Sequence, residues 1–165
     1  MGMTFNDLML GITTKCIKQY FVKQGDQSEE ITVSMPFSFA TIPENKKDYV
    51  YGNTFASMTL YLKLIEDFNQ ACNQATKVMK DLKKSVIPGA IYNLVQFYVM
   101  FLPSIIVGGI ATEAGEKHTL LYTNVPGFVK PVYFGGQPVK KQYLVTGGLG
   151  NICTGIAIIS ICKRF

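Results

Sequence analysis

Thr123-Asn124-Val125-Pro126-Gly127 follows the apolar run Leu120-Leu121-Tyr122 and decides how the last third of the chain is read. Val125 precedes a proline and is pushed to extended geometry, Pro126 fixes its own φ, and Gly127 tolerates positive φ. The segment therefore predicts a rigid corner where a strand ends. Further glycine turns at Gly135-Gly136 and Gly147-Gly148 separate β-rich runs at 118–124, 132–134, 139–145 and 152–162. Short strands joined by tight turns predict a meander.

Upstream of that corner the pattern is mostly helical. Apolar residues recur at Phe5, Leu8, Met9, Ile12, Cys16, Ile17, Tyr20 and Phe21, the spacing of one helix face. Thr4 is a good N-cap with Asp7 as its capping-box partner, and Gly25 is the stop. A strand is predicted at 31–39, where Ile31, Val33, Met35, Phe37 and Phe39 alternate with polar residues and Pro36. Because Pro36 cannot donate to a ladder, the strand is expected to be an edge or to break there. Residues 40–53 form a polar connection and 54–62 a second strand.

Tyr61, Ile65, Phe68, Cys72, Ala75, Met79 and Leu82 predict the longest helix, acids early and lysines late, stopped by Pro88-Gly89. Residues 94–111 are the one membrane candidate, but Gln96, Pro103 and Gly108-Gly109 interrupt them and no cations clamp both ends. They predict two buried or interfacial helices hinged at Pro103. The order of elements gives an α+β fold, with one mixed or antiparallel sheet packed with helices, as a single domain over residues 1–165.

Composition narrows the function. The chain has 165 residues, 48% of them hydrophobic and only 16% charged, with a net charge of +5. Its lysines are scattered in pairs and Arg164 is the single arginine, which argues against nucleic-acid binding. Anionic lipid headgroups or a nucleotide phosphate suit scattered lysines beside apolar surface better. Cys16, Cys72, Cys153 and Cys162 have neither zinc-site nor disulfide-framework spacing and follow no secretory signal, so they read as reduced thiols in a protein that is not secreted. Met1-Gly2 and Cys162-Lys163-Arg164-Phe165 miss the myristoylation and prenylation patterns.

Catalytic chemistry is sparse. His118 is the single histidine, reads as a surface residue at a strand start, and has no partner for a metal or a nucleophile. Gly147-Gly148-Leu149-Gly150 lacks the Lys-Ser/Thr of a phosphate loop. The acids lie in loops without the spacing of a carboxylate pair. Asn6-Asp7 can be explained by helix capping alone, although capping accounts for Asp7 better than for Asn6.

Taken in order, Thr4-Phe5-Asn6-Asp7-Leu8, Val33-Ser34-Met35-Pro36-Phe37-Ser38, Gly52-Asn53 and Thr123-Asn124-Val125-Pro126-Gly127 resemble the C-terminal half of the wax ester synthase/diacylglycerol acyltransferase family. That family's pattern is T-x-N-D opening a helix, a strand like V-P-V-S, G-N before another strand, and a late S-N-V-P-G-P. Met35, Phe37 and Phe128 depart from it. The resemblance covers Thr4 to about Ile161. It implies the C-terminal lobe of a chloramphenicol-acetyltransferase-like fold, incomplete at both ends relative to the pattern.

It further implies acyl transfer from acyl-CoA, as substrate rather than bound cofactor, to a long-chain alcohol or diacylglycerol. Asn6, Asp7, Asn124, Pro126 and Gly127 would be the substrate-binding or active-site support residues. The family's general base is the second histidine of H-H-x-x-x-D-G, which this chain lacks, so no catalytic residue and no metal ligand is carried over. An N-terminal lobe or partner chain would supply that histidine, and the protein is expected to be cytoplasmic or peripheral at a membrane or lipid droplet. Two other readings stay open: a non-catalytic lipid-binding or protein-interaction module on the same fold, and a small integral membrane protein.

Overall fold

The computed structural model describes residues 2–40, 54–127, 130–145, 152 and 154–160. The elements in chain order are α1 (Phe5–Gln24), β1 (Glu30–Ser38), β2 (Phe55–Lys63), α2 (Phe68–Lys84), α3 (Ile87–Phe101), α4 (Ser104–Glu116), β3 (Leu120–Pro126), β4 (Tyr133–Phe134), β5 (Gln137–Pro138) and β6 (Gly155–Ser160). Gly52-Asn53, most of the polar connection and Gly147-Gly148-Leu149-Gly150 lie outside the described residues.

α1 begins and ends where its local chemistry dictates. The Thr4 Oγ1 accepts from the Asp7 N–H at 3.3 Å and the Asp7 Oδ2 accepts from the Thr4 N–H at 2.9 Å, a complete capping box. Gly25 takes the left-handed conformation at φ 75°, and the Asp26 N–H closes the helix on the Phe21 carbonyl at 2.9 Å. The buried face matches the expected one only in part: Met9, Ile17 and Phe21 are partly buried against the core, but Leu10, Gly11, Thr13 and Thr14, outside the expected set, are buried, whereas Cys16 is exposed and Tyr20 is 59% exposed. The cause is α2. A Cβ on Gly11 would lie 2.7 Å from the Cys72 Sγ and 2.8 Å from the Cys72 Cα, so the two helices touch through small residues that no hydrophobic pattern marks. Thr14, one turn on, turns its hydroxyl back to the Leu10 and Gly11 carbonyls.

α2 also starts later than its periodicity suggests. Asp67 caps it by accepting from the Gln70 N–H at 2.8 Å, while Tyr61 belongs to β2 and is 67% exposed. A residue spacing of four fits both a helix and an alternating strand, and the cap decides between them. Ala71, Cys72, Ala75 and Met79 form the buried side of α2. Pro88 sits in the first turn of α3, where its missing N–H costs nothing, so Pro88-Gly89 opens a helix rather than only closing one.

The sheet is mixed, with strand order β2-β1-β3-β6. β1 and β2 are antiparallel along their whole length, from Glu30↔Lys63 to Ser38↔Phe55, while β1–β3 and β3–β6 are parallel. α1 and α2 cover one face, over a core of Leu10, Val33, Leu60, Leu62, Leu120 and Tyr122. The other face carries Thr32, Ser34, Ser57 and Thr59 and is largely hydroxylic. The expected α+β class holds; the expected meander does not. β4 and β5 pair with each other in a separate hairpin turning through Gly135 (φ 57°) and Gly136 (φ 79°), residues 139–145 form no strand, and the chain re-enters the main sheet as β6 parallel to β3.

Nor does β3 end before its corner. It runs to Pro126, paired opposite Ser160, because the extended geometry that proline imposes on Val125 is strand geometry. β1 is likewise an interior strand, not an edge. Its break at Pro36 is one-sided: Phe39 N–H bonds Thr54 and Leu64 N–H bonds Glu29, so odd residues of β1 face β2 and the even-numbered Pro36 faces β3. The β1–β3 ladder consists of Val33↔Leu120 and Ser34↔Leu121 and stops there, before the missing N–H is needed.

α3 and α4 break at Leu102-Pro103, as expected of the hinge, but they are not buried. Pro88 is the buried residue of α3 and Gly115 that of α4. No helix among the described residues is long and apolar enough to cross a membrane.

Candidate functional site

Three of the residues singled out in the sequence converge on one end of the sheet. Asn6 and Asp7 occupy the first turn of α1, and Asn124 lies near the C-terminal end of β3. Tyr122 links the two elements: its hydroxyl donates to the Asn6 carbonyl at 3.4 Å, across 116 positions of sequence. Side chains alternate along a strand, so Asn124 shares the helix-covered side of β3 with Tyr122, two residues further on, and is exposed. Pro126 ends the strand and Gly127 follows it, partly buried.

Asp7 is the unusual group. It is 3% exposed, its Oδ2 closes the capping box, and its Oδ1 is buried with no hydrogen-bond partner. A buried carboxylate oxygen without a donor is costly, so most such atoms are satisfied. Beside it Tyr122 is fully buried, and burial together with the Asp7 charge pushes its hydroxyl up to about 12. At neutral pH Tyr122 is therefore a neutral donor, and beside it the buried Asp7 Oδ1 is left without a hydrogen-bond partner.

The β1–β3 ladder stops at the same end. Leu121 N–H donates to the Thr154 carbonyl, so odd residues of β3 face β6, and Pro126, an even position, turns its nitrogen towards β1. Pro36 on β1 turns its nitrogen towards β3. Both prolines thus withhold a donor from the same seam, and Met35–Ser38 and Tyr122–Pro126 run on without a shared ladder. The C-terminal ends of parallel strands are where open α/β sheets receive ligands.

His118 belongs elsewhere. Its Nε2 lies 2.8 Å from the Thr59 Oγ1, on the hydroxylic face and at the opposite end of β3 from Asn124. It is partly buried, not a free surface residue, and it stands across the sheet from Asp7. Burial raises the Cys72 thiol, which removes it as a thiolate nucleophile. Among the described residues no group of three or more His, Cys, Asp or Glu side chains could hold a metal ion.

Tyr122 is the residue that sequence reasoning missed, since it was read as part of an apolar run. Period-two spacing through Leu120, Tyr122 and Asn124 was the available signal, because it puts a polar tip between a core leucine and an exposed amide.

A family model, the WS/DGAT C-terminal domain, matches residues 51–165. The chain belongs to the WS/DGAT family. The wax ester synthase/diacylglycerol acyltransferase from Marinobacter aquaeolei VT8 has a similar fold, with a TM-score of 0.61 and 17% identity over 96% of this chain and 35% of that one. This WS/DGAT domain therefore spans about a third of that protein's length, and at this identity the likeness is one of fold. The structural match takes in nearly all of the chain, so it reaches upstream of the family-model match. No curated protein matches the sequence significantly.

Proposed function

We propose that this chain forms the C-terminal half of an O-acyltransferase site that moves an acyl group from acyl-CoA to a long-chain alcohol or diacylglycerol. The unpartnered Asp7 Oδ1, buried at the open end of the sheet in a WS/DGAT domain, is the observation that carries the reading. Acyl transfer needs a base to take the alcohol proton as oxygen attacks the thioester carbonyl, and the collapsing intermediate then releases the coenzyme A thiolate, which is reprotonated. The 165 residues contain no histidine pair, and His118 is turned away. A second lobe supplies the base, and the free Asp7 oxygen accepts from a donor on that lobe and so fixes its orientation. Asn6 and Asn124 provide neutral amides on either side, the neutral Tyr122 holds α1 against β3, and the seam between Pro36 and Pro126 admits the extended acyl chain.

Alone, the chain is inactive. Mixed with a family N-terminal lobe that carries H-H-x-x-x-D-G, it is expected to form ester from acyl-CoA and hexadecanol or diacylglycerol, followed by thin-layer chromatography of radiolabelled product. Asn6→Ala and Asp7→Asn should each lower that rate at least tenfold while leaving thermal unfolding within a few degrees. Ester formation by the isolated chain that survives both substitutions would rule the proposal out. The exposed apolar α3–α4 segment favours a second reading, a lipid-binding module without turnover. Lipid binding by the chain with no ester formed in the presence of the second lobe would select it.

A further inference from the structure

We propose that the α3–α4 crossover docks the protein on an anionic phospholipid surface, entering one leaflet while the lysines at the end of α2 face the headgroups. The inference does not depend on acyl transfer. From Asn93 to Ala114 every residue except Tyr98, Leu102 and Val107 is exposed, and the exposed set is dominated by large apolar side chains. Val99, Met100 and Phe101 are 60%, 78% and 62% exposed, and Ile105 is 84% exposed across the hinge. No Asp, Glu, Lys or Arg occurs from Ser85 to Thr112.

The arrangement of these residues selects the occupant. At about 100° per residue, Leu94, Val95, Phe97, Val99, Met100 and Phe101 point to every side of α3. A docked protein covers one stripe of a helix and leaves the rest wet, whereas hydrocarbon surrounds it. A helix that is apolar all round is buried or in lipid, and the core of this domain does not bury α3. Its 15 residues span about 22 Å and the 13 of α4 about 20 Å, short of the roughly 30 Å hydrocarbon core, so the pair lies in one leaflet. Charge supplies the complement. Lys77, Lys80, Lys83 and Lys84 are all exposed in the last two turns of α2, directly before α3, with Asp81 the one acid among them. Cations flanking an apolar insertion match a leaflet carrying anionic lipid.

The chain contains no tryptophan, so Phe101→Trp gives a single fluorescent reporter at an already exposed position. Added to vesicles of phosphatidylcholine with a third phosphatidylserine, this variant is expected to shift its emission to the blue and to be quenched by brominated acyl chains. Emission that stays at its aqueous position with lipid in large excess would overturn the proposal. In co-sedimentation of the full chain, Met100→Asp with Phe101→Asp should lower the bound fraction at least tenfold. Neutralising each α2 lysine should lower it roughly fivefold on the anionic vesicles and much less on pure phosphatidylcholine. Both variants alter exposed side chains, and unchanged circular dichroism would confirm the fold. Vesicle binding indifferent to the aspartates, or a blue shift that tracks self-association instead of lipid, would overturn it.

Discussion

β1 has two neighbours and treats them differently. Against β2 it pairs over all nine of its residues; against β3 it pairs at Val33 and Ser34 alone. The same strand is sealed on one side and unzipped on the other, and the difference comes from where a donor is missing. Pro36 occupies a position that β2 does not need and β3 would, and Pro126 does the same from the opposite strand. On the sealed side the ladder and core accumulate stability; on the other side both strands run on unladdered towards Asn124 and the first turn of α1.

Truncation on the sealed side should have the largest effect. Leu62 is fully buried opposite Ile31, and Leu62→Ala is expected to cost about 2–5 kcal/mol in urea unfolding. A loss below about 1 kcal/mol would mean that the β1–β2 half is not where stability resides. The pH dependence probes the boundary between the halves. The Tyr122 hydroxyl is raised to about 12 in the folded protein against about 10 unfolded, so its contribution is intact below pH 10 and is lost as pH rises from 10 to 12, where only the unfolded chain ionises. The loss should be about 1–2 kcal/mol over that window, and Tyr122→Phe should flatten it; identical pH profiles for the two proteins would place the hydroxyl in solvent. The smallest effect belongs to the open side. Pro36→Ala and Pro126→Ala restore an N–H each and should change stability by less than about 1 kcal/mol, with the new amides exchanging fast in hydrogen-exchange experiments. A strongly protected amide at either position would show that the seam closes once it has a donor.

What could be read from the sequence follows the same division. The capping box of Thr4 and Asp7, the Gly25 stop, the alternation of β1 and the strand expected at 54–62 depend on residues close in sequence, and each formed as expected. The meander failed because β3 and β6 are joined through a hairpin that leaves the sheet, and no local signal distinguishes a parallel return from an antiparallel one. Part of the inner face of α1 was hidden because Gly11 meets Cys72 of α2, where closeness counts for more than hydrophobicity. The site was half legible: Asn6, Asp7 and Asn124 could be named from motif order, but their junction depends on Tyr122, a contact across most of the chain, and on the empty lone pair of Asp7, a property of packing alone.

Gly11 also bears on how the site can move. Its backbone rests directly on Cys72, a bearing point with no side chain to compress, and Asn6 lies five residues away, about 7 Å along the helix axis. The first turn of α1 is thus a short, stiff beam held by the helix pair at one end and by Tyr122 at the other. A methyl group at Gly11 would act as a shim, tilting α1 off α2 and shifting Asn6 and Asp7 without altering either residue. Misalignment introduced at a helix crossing would then reach Asn6 and Asp7 before it registered as lost folding.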